Sequence, residues 1–203
     1  IEKHINYFKK NNPFYGDMLE SFDTRIDPSV GTAGVSYDES IDNIVLFINP
    51  GFFNSLNFKE QIAVLIHEIQ HITNYHIVRG KGKDHEVYNM GSDMAINQYI
   101  KNLPQGVLYP PKELKKNESA EYYYNKLNKN RKKKKGFFKS LKDKYQKDSK
   151  KGNHERWNNG NSEKAGDNIK KKIDETYSNG KITKNEKKKF DKTYKDYKKE
   201  KSK

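Results

Sequence analysis

The chain has 203 residues, of which 32% are hydrophobic and 33% charged, with a formal net charge of +14 and a mean hydropathy of -1.18. This composition is too polar for the whole length to form one well-packed core. The absence of cysteine excludes disulfides and thiolate metal sites, and no apolar run is long enough to span a bilayer.

Charge is distributed unevenly along the chain. Residues 1–111 contain 9 Lys and Arg against 13 Asp and Glu, whereas residues 112–203 contain 32 against 14. We therefore expect a foldable first part and a solvated, basic extension that is partly helical or disordered. The predicted division is a domain at 1–127, a low-complexity linker at 128–166 and a Lys-rich helical extension at 167–203. The N-terminal sequence IEKHINYFKK is not a signal peptide, and we expect a cytoplasmic location without a membrane partner.

The N-terminal elements are a helix and a hairpin. Residues 1–22 are predicted to be helical, with an interruption at Asn12–Pro13. The segments 31–38 and 43–50 have strand character and are joined by a short polar link, which predicts a β-hairpin. Either strand would offer an edge on which an extended peptide could pair.

Two helices are predicted to follow the hairpin. The first begins at Asn57, where Glu60 resembles the partner residue of a capping box, and it ends at Gly80 and Gly82. The second covers roughly Val87 to Lys101. Apolar residues of the first helix follow helical spacing, namely Ile62, Leu65, Ile66, Ile69 and Ile72.

The first of these helices carries His67, Glu68 and His71 in the pattern H-E-x-x-H. Their spacing places both imidazoles on one helix face, where they can hold one Zn²⁺ at about 2.0–2.1 Å each. Glu68 is rotated by about 100° from His67, so it cannot ligate the ion but can take a proton from a metal-activated water. The alternative of two ordinary histidines leaves two imidazoles and a carboxylate in an apolar helix unexplained.

The third ligand has two candidates. His76 lies five residues after His71, and a continuous helix would turn it about 140° away from the metal, so we interpret it as structural. On the second helix, Asn89, Asp93 and Asn97 recur every four residues as a polar stripe. We predict that Asp93 is the third ligand and that the two amides support it through hydrogen bonds. The alternative for this stripe is a solvent-facing side of the helix.

Four segments together resemble a known family. HEIQHITNYHIVRG, YNMGSDMAINQYI, LPQGVLYP and NHERW occur in this order within about residues 30–160. They resemble the metallopeptidase domain found upstream of von Willebrand A-like domains in bacterial and phage proteins. The resemblance implies that His67, His71 and Asp93 bind zinc and that Glu68 is catalytic. We therefore expect an α+β, zincin-like domain in which a small sheet packs on the active-site helix.

The NHERW segment contains the only tryptophan of the chain. We expect Trp157 to dock on the domain and to bring His154 near the cleft as an additional site residue. No von Willebrand A-like domain is expected within residues 167–203, because this stretch is too short and too polar.

The predicted function is zinc-dependent hydrolysis of peptide bonds in a peptide or protein substrate, with Glu68 as the general base. A second hypothesis is a nucleic-acid-associated or scaffolding protein that retains a zincin fold with a non-catalytic zinc site. The alternative for the basic half is a solvated Lys-rich tail from an AT-rich genome, and we favour this alternative over nucleic-acid binding. The support for nucleic acid is a set of aromatic residues among the lysines, namely Tyr122, Tyr123, Tyr124, Phe137, Phe138 and Tyr145.

Overall fold

The computed structural model describes residues 1–133, 136, 139–141, 143 and 162–201, and it shows a mixed α+β arrangement with a small sheet. The strands are β1 (Asp23–Ile26), β2 (Ala33–Asp38) and β3 (Asn43–Ile48). The helices are α1 (Glu2–Asn11), α2 (Pro13–Glu20), α3 (Pro50–Ser55), α4 (Phe58–Thr73), α5 (His76–Arg79), α6 (His85–Asn97), α7 (Ala120–Lys133), α8 (Ser162–Ser178) and α9 (Lys184–Lys201). None of the helices in these ranges has the length and apolar character needed to cross a membrane.

The sheet has the strand order β1-β3-β2. β2 and β3 pair antiparallel, with Val35 opposite Leu46, which confirms the predicted hairpin. β1 pairs parallel to β3 and was not predicted from the sequence. Because β3 is hydrogen-bonded on both sides, β2 is the one of the two predicted strands that lies at an edge of the sheet.

The main core lies between one face of the sheet and the helices. Side chains of β2 and β3 alternate between the two faces, so every second residue points into this core. On the opposite face, Val45 and Phe47 form a separate small cluster with Val30. The strand residues of the main core are Ala33, Val35, Tyr37, Ile44, Leu46 and Ile48, and they share it with α4 residues that include Leu65, Ile69 and Ile72. The sheet therefore packs on the helix that carries the H-E-x-x-H pattern.

The C-terminal helices α8 and α9 also belong to this core. Ala165, Ile169 and Ile173 of α8 are buried in the main cluster, together with Tyr197 of α9. Gly166 allows close contact of the two helices, because a Cβ atom at this position would lie 2.6 Å from the Tyr197 ring. The expectation of a solvated extension is therefore wrong for these two helices, although the predicted helices themselves are confirmed. The domain boundaries at 127 and 166 stay a prediction.

Candidate metal centre

The helix α4 begins with a capping box that fixes its register. The Asn57 side chain accepts hydrogen bonds from the backbone N–H groups of Lys59 and Glu60, and the Glu60 carboxylate accepts one from the Asn57 N–H at 3.0 Å. These bonds satisfy backbone donors that the first turn of a helix leaves unpaired. The cap predicted from the sequence is confirmed, and the apolar face of α4 packs on the core so that His67 and His71 point towards α6.

Three ligand-type side chains meet between α4 and α6. The Nε2 atoms of His67 and His71 are 3.0 Å apart, and Asp93 Oδ1 lies 3.6 Å from the first and 3.2 Å from the second. Ligands bound tetrahedrally to zinc at about 2.0–2.1 Å are separated by about 3.3–3.4 Å. The two nitrogens and one oxygen thus lie at separations that fit one such ion, and the structure brings together all three residues that the sequence singled out.

Asp93 is held in place by the packing of α6 against α7. Asp84 caps the N-terminus of α6, and its carboxylate accepts a hydrogen bond from the Val87 N–H at 3.1 Å. A Cβ atom at Gly91 would lie 2.9 Å from both Ala120 O and Tyr124 N, so only glycine permits this close approach of α7. This close contact sets the position of α6 relative to α7, and Asp93 lies two residues further along α6.

The polar stripe of α6 is buried. Asp93 is 6% exposed and Asn97 1% exposed, so the alternative of a solvent-facing side is wrong. Asn97 Oδ1 lies 2.8 Å from Nδ1 of His67, and its amide nitrogen donates to the Leu108 carbonyl at 2.9 Å. This second bond leaves Oδ1 to accept the Nδ1–H of His67, and that tautomer directs the Nε2 lone pair towards the ligand cluster. Asn89 is buried one turn before Asp93, and its supporting role stays a prediction.

His76 contacts the Nδ1 side of His71 and is not one of the three ligand-type residues of the cluster, although the predicted continuous helix would not have allowed this contact. The helix α4 ends at Thr73, and Tyr75 adopts a left-handed conformation with φ of 59°. This corner returns the chain, so that His76 Nδ1 lies 3.2 Å from Nδ1 of His71. The prediction of a continuous helix to Gly80 is therefore wrong, and the sequence has no glycine where the helix breaks, while the structural role of His76 stays a prediction.

Burial keeps both histidines neutral. Desolvation lowers the pKa of His67 to about 4, with a further contribution from His71, and it lowers the pKa of His71 to about 3. A neutral imidazole has a free lone pair for a metal ion. Since both rings also have a partner for the Nδ1 side, the cluster is set up for ligation through Nε2.

Glu68 is buried beside the cluster at 3% exposure. Desolvation raises the pKa of its carboxyl group well above the usual range, and the nearby charge of Asp93 adds to this effect. Its Oε2 atom has no hydrogen-bond partner among the described residues. Two carboxyl groups in an apolar interior are costly without a cation, so this environment also fits a bound metal ion.

The remaining predicted residues give little support to nucleic-acid binding by the basic half of the chain. His154 and Trp157 lie outside the described residues, as do Phe137, Phe138 and Tyr145. Tyr123 is fully buried against α6, which excludes it from stacking on a nucleic-acid base. In α8 and α9, several lysines are paired with acids: Lys170 with Asp174, Lys187 with Asp191, and Lys198 with Asp167.

Comparison with known proteins supplies independent information. Residues 2–199 match the model of a family described as "Putative metallopeptidase domain", so the match includes α8 and α9. An uncharacterized protein of Thermotoga maritima is 29% identical over 106 residues, which make up 51% of this chain. The matched part is 26% of that protein, so the chain spans about a quarter of its length. No solved structure gives a significant match.

Proposed function

The chain belongs to this family of metallopeptidase domains, and on that premise we propose that it is a zinc-dependent peptidase with His67, His71 and Asp93 as the metal ligands. The observation that carries the proposal is the convergence of three ligand atoms within 4.8 Å of one another, beside the buried carboxyl group of Glu68. A zincin-like arrangement of sheet and helix is part of the same proposal.

Different residues of the chain have different roles in the proposed reaction. A zinc ion held at this site would acidify a water molecule and polarise the scissile carbonyl. Glu68 is adjacent to His67 in sequence but rotated about the helix axis, so it lies beside the ligand set. Its carboxylate accepts the proton of the attacking water and passes it to the leaving amine. Asn97 orients the His67 ring, and His76 orients the His71 ring, each through a contact to the Nδ1 atom of that ring.

Metal analysis of the purified full chain tests the ligand set. We expect one Zn²⁺ per chain, lost in His71→Ala and in Asp93→Ala. Gln70→Ala is the matched control, since this half-buried residue of α4 neighbours His71 in sequence but is not in the ligand cluster. Full zinc occupancy in Asp93→Ala would contradict the assignment of the third ligand.

Replacement of Glu68 by Gln tests the catalytic step. The variant keeps the shape of the side chain but removes the base, so zinc stays bound while peptide cleavage falls by about 10²–10⁴-fold. A peptide library must first identify a sequence that the wild type cleaves in a chelator-sensitive reaction. Equal cleavage by wild type and Glu68→Gln would contradict the mechanism.

A second candidate is a protein with a non-catalytic zinc site. The observation in its favour is the low exposure of the cluster, because the His71 side chain is fully buried and that of His67 is only 12% exposed. In that case wild type would bind zinc tightly but cleave nothing across a broad library. Nucleic-acid association would be measured with the same samples, as a salt-dependent shift in the electrophoretic mobility of a nucleic acid.

A further inference from the structure

An open groove lies along the side of α4, and two of its lining residues, Ile66 and Gln70, are sequence neighbours of His67 and His71. Its volume is about 420 Å³, which is within the range of ligand-binding pockets. It is bounded by α1, α2, the stretch of α4 from Phe58 to Gln70 and the segment that follows α6. The apolar and aromatic residues that line it include Tyr7, Tyr15, Phe58, Ile62, Ile66 and Tyr99.

The groove exposes large aromatic side chains. Tyr99 is 60% exposed, and Tyr7 and Phe58 are also among the exposed large hydrophobic residues of the chain. The three rings line one depression. Clustered exposed aromatics are characteristic of surfaces that bind a partner, whereas single exposed hydrophobic residues need no explanation.

Both walls of the groove contain residues that are close in sequence to the metal cluster. On α4, Ile66 and Gln70 line the groove, and each directly precedes a histidine of the cluster. On the other wall, Tyr99 follows two residues after Asn97, whose side chain hydrogen-bonds to His67. His67 is also the more exposed of the two histidines, with 12% of its side chain exposed against 0% for His71.

The edge of the sheet is a poorer place for a substrate. β2 is the edge strand next to α4, but Val35 and Ser36 in its centre are nearly fully buried. A peptide could pair with this strand only if the covering groups moved away. The groove needs no such movement, because its aromatic residues are already exposed.

The charged groups of the groove are basic. Lys59 and Lys101 line it and are exposed, and Lys3 places its ammonium group 5.5 Å from the centre of the Phe58 ring. None of the described lining residues is acidic. The carboxylate of the neighbouring Glu60 is used in the helix cap. The surface is thus complementary to a partner that combines apolar side chains with negative charge.

We propose that this groove binds the substrate of the metal site, and that the substrate is a peptide segment with an aromatic or large aliphatic side chain flanked by acidic residues. That the bound peptide is a substrate rests on the proposed peptidase function, but its binding can be measured without turnover. Tyr99 supplies the main apolar contact, and Lys59 and Lys101 attract the flanking carboxylates.

Binding of short labelled peptides to the zinc-loaded full chain with the Glu68→Gln replacement tests the proposal. The probe is Gly-Glu-Phe-Glu-Gly, compared with Gly-Lys-Phe-Lys-Gly and Gly-Glu-Ser-Glu-Gly by fluorescence anisotropy. We expect saturable binding of the first peptide only. Tyr99→Ser should weaken it by roughly tenfold, and Lys101→Glu should weaken it by about fivefold in a manner that added salt reduces.

Matched controls lie outside the groove. Tyr109→Ser removes a tyrosine of similar exposure, 47%, and Lys112→Glu reverses an exposed lysine. Neither should change the affinity. Because all four side chains are exposed, none of these replacements should unfold the protein.

The outcomes separate the groove from the catalytic proposal. If Tyr99→Ser and Tyr109→Ser bind the probe equally well, or no probe binds up to millimolar concentration, the groove proposal is overturned even if wild type cleaves peptides. If the probe binds with the expected dependence on Tyr99 and Lys101, the groove proposal holds. A wild type that then cleaves nothing shows a failure of the peptidase proposal alone.

Discussion

The metal-site helices α4 and α6 and the C-terminal helices α8 and α9 use polar residues in opposite ways. In the first pair, a few polar side chains are buried, and hydrogen bonds join some of them to one another, as between His67 and Asn97. In the second pair, lysines and acids cover the outside, and a narrow apolar stripe makes the contact with the core. Low overall hydrophobicity therefore does not reveal whether a helix belongs to a core, because the position of each apolar residue matters more than their number.

The α8 stripe shows how few residues are needed. Ala165, Ile169 and Ile173 recur every four residues and lie on one face of the helix. The remaining faces carry charges that pair within α8 and with α9. Exposed ion pairs of this kind contribute little to stability, so the apolar stripe should account for most of the attachment.

Replacing a residue of this stripe should give the largest change in folding stability. Ile169→Ala should lower the free energy of unfolding by about 2–5 kcal/mol, because Ile169 is fully buried. Lys171→Ala on the exposed face of the same helix should change it by less than about 0.5 kcal/mol. Urea unfolding of the full chain measures both. Equal midpoints for the two variants would mean that α8 does not share the core.

Replacing His76 should give an intermediate effect, on metal affinity. His76→Ala removes the partner of His71 Nδ1, and loss of such a contact to a ligand typically weakens metal binding by about 10–100-fold. Competition with a chromogenic chelator measures the zinc affinity, with Gln70→Ala as the control. If His76→Ala binds zinc with wild-type affinity, His76 has the purely structural role that its sequence spacing predicts.

The smallest effect should be the pH dependence of the metal-free protein. Burial lowers the pKa of His67 to about 4 and that of His71 to about 3, so below pH 6.5 the unfolded chain binds protons that the folded chain does not. Stability therefore falls as the pH falls. Between about pH 7.5 and about pH 6, each imidazole should lower the free energy of unfolding by about 0.8 kcal/mol.

Chelator-treated protein, unfolded by urea at the two pH values, measures this loss. The double variant His67→Asn, His71→Asn should lose the part of the slope that these rings supply. An unchanged slope in that variant would mean that the acid sensitivity arises elsewhere.

The parts of the fold that the sequence predicted are those set by local geometry. The spacing of His67 and His71, the cap at Asn57 and the stripe around Asp93 depend only on the helix repeat, and the structure contains all three. The hairpin was predictable for a similar reason, since its strands are neighbours in sequence.

The parts that the sequence did not predict depend on distant contacts. β1 is a four-residue strand with the sequence DTRI, and it pairs in parallel with a strand that begins 20 positions later. The corner at Tyr75 requires a left-handed conformation at a bulky residue, which only the surrounding packing can enforce. The burial of Ile169 depends on a surface that other elements of the fold provide.

The close contact at Gly91 would have a consequence for any metal ion held at the proposed site. Metal–ligand distances must lie within about 0.2 Å of their ideal values, and ligand geometry contributes to selectivity among ions. An added methyl group at Gly91 would meet the backbone of α7 at 2.9 Å, and the resulting shift of α6 would move the carboxylate two residues away. If the site holds an ion, its selectivity would thus depend partly on a residue that touches no ion, and that has no side chain with which to touch one.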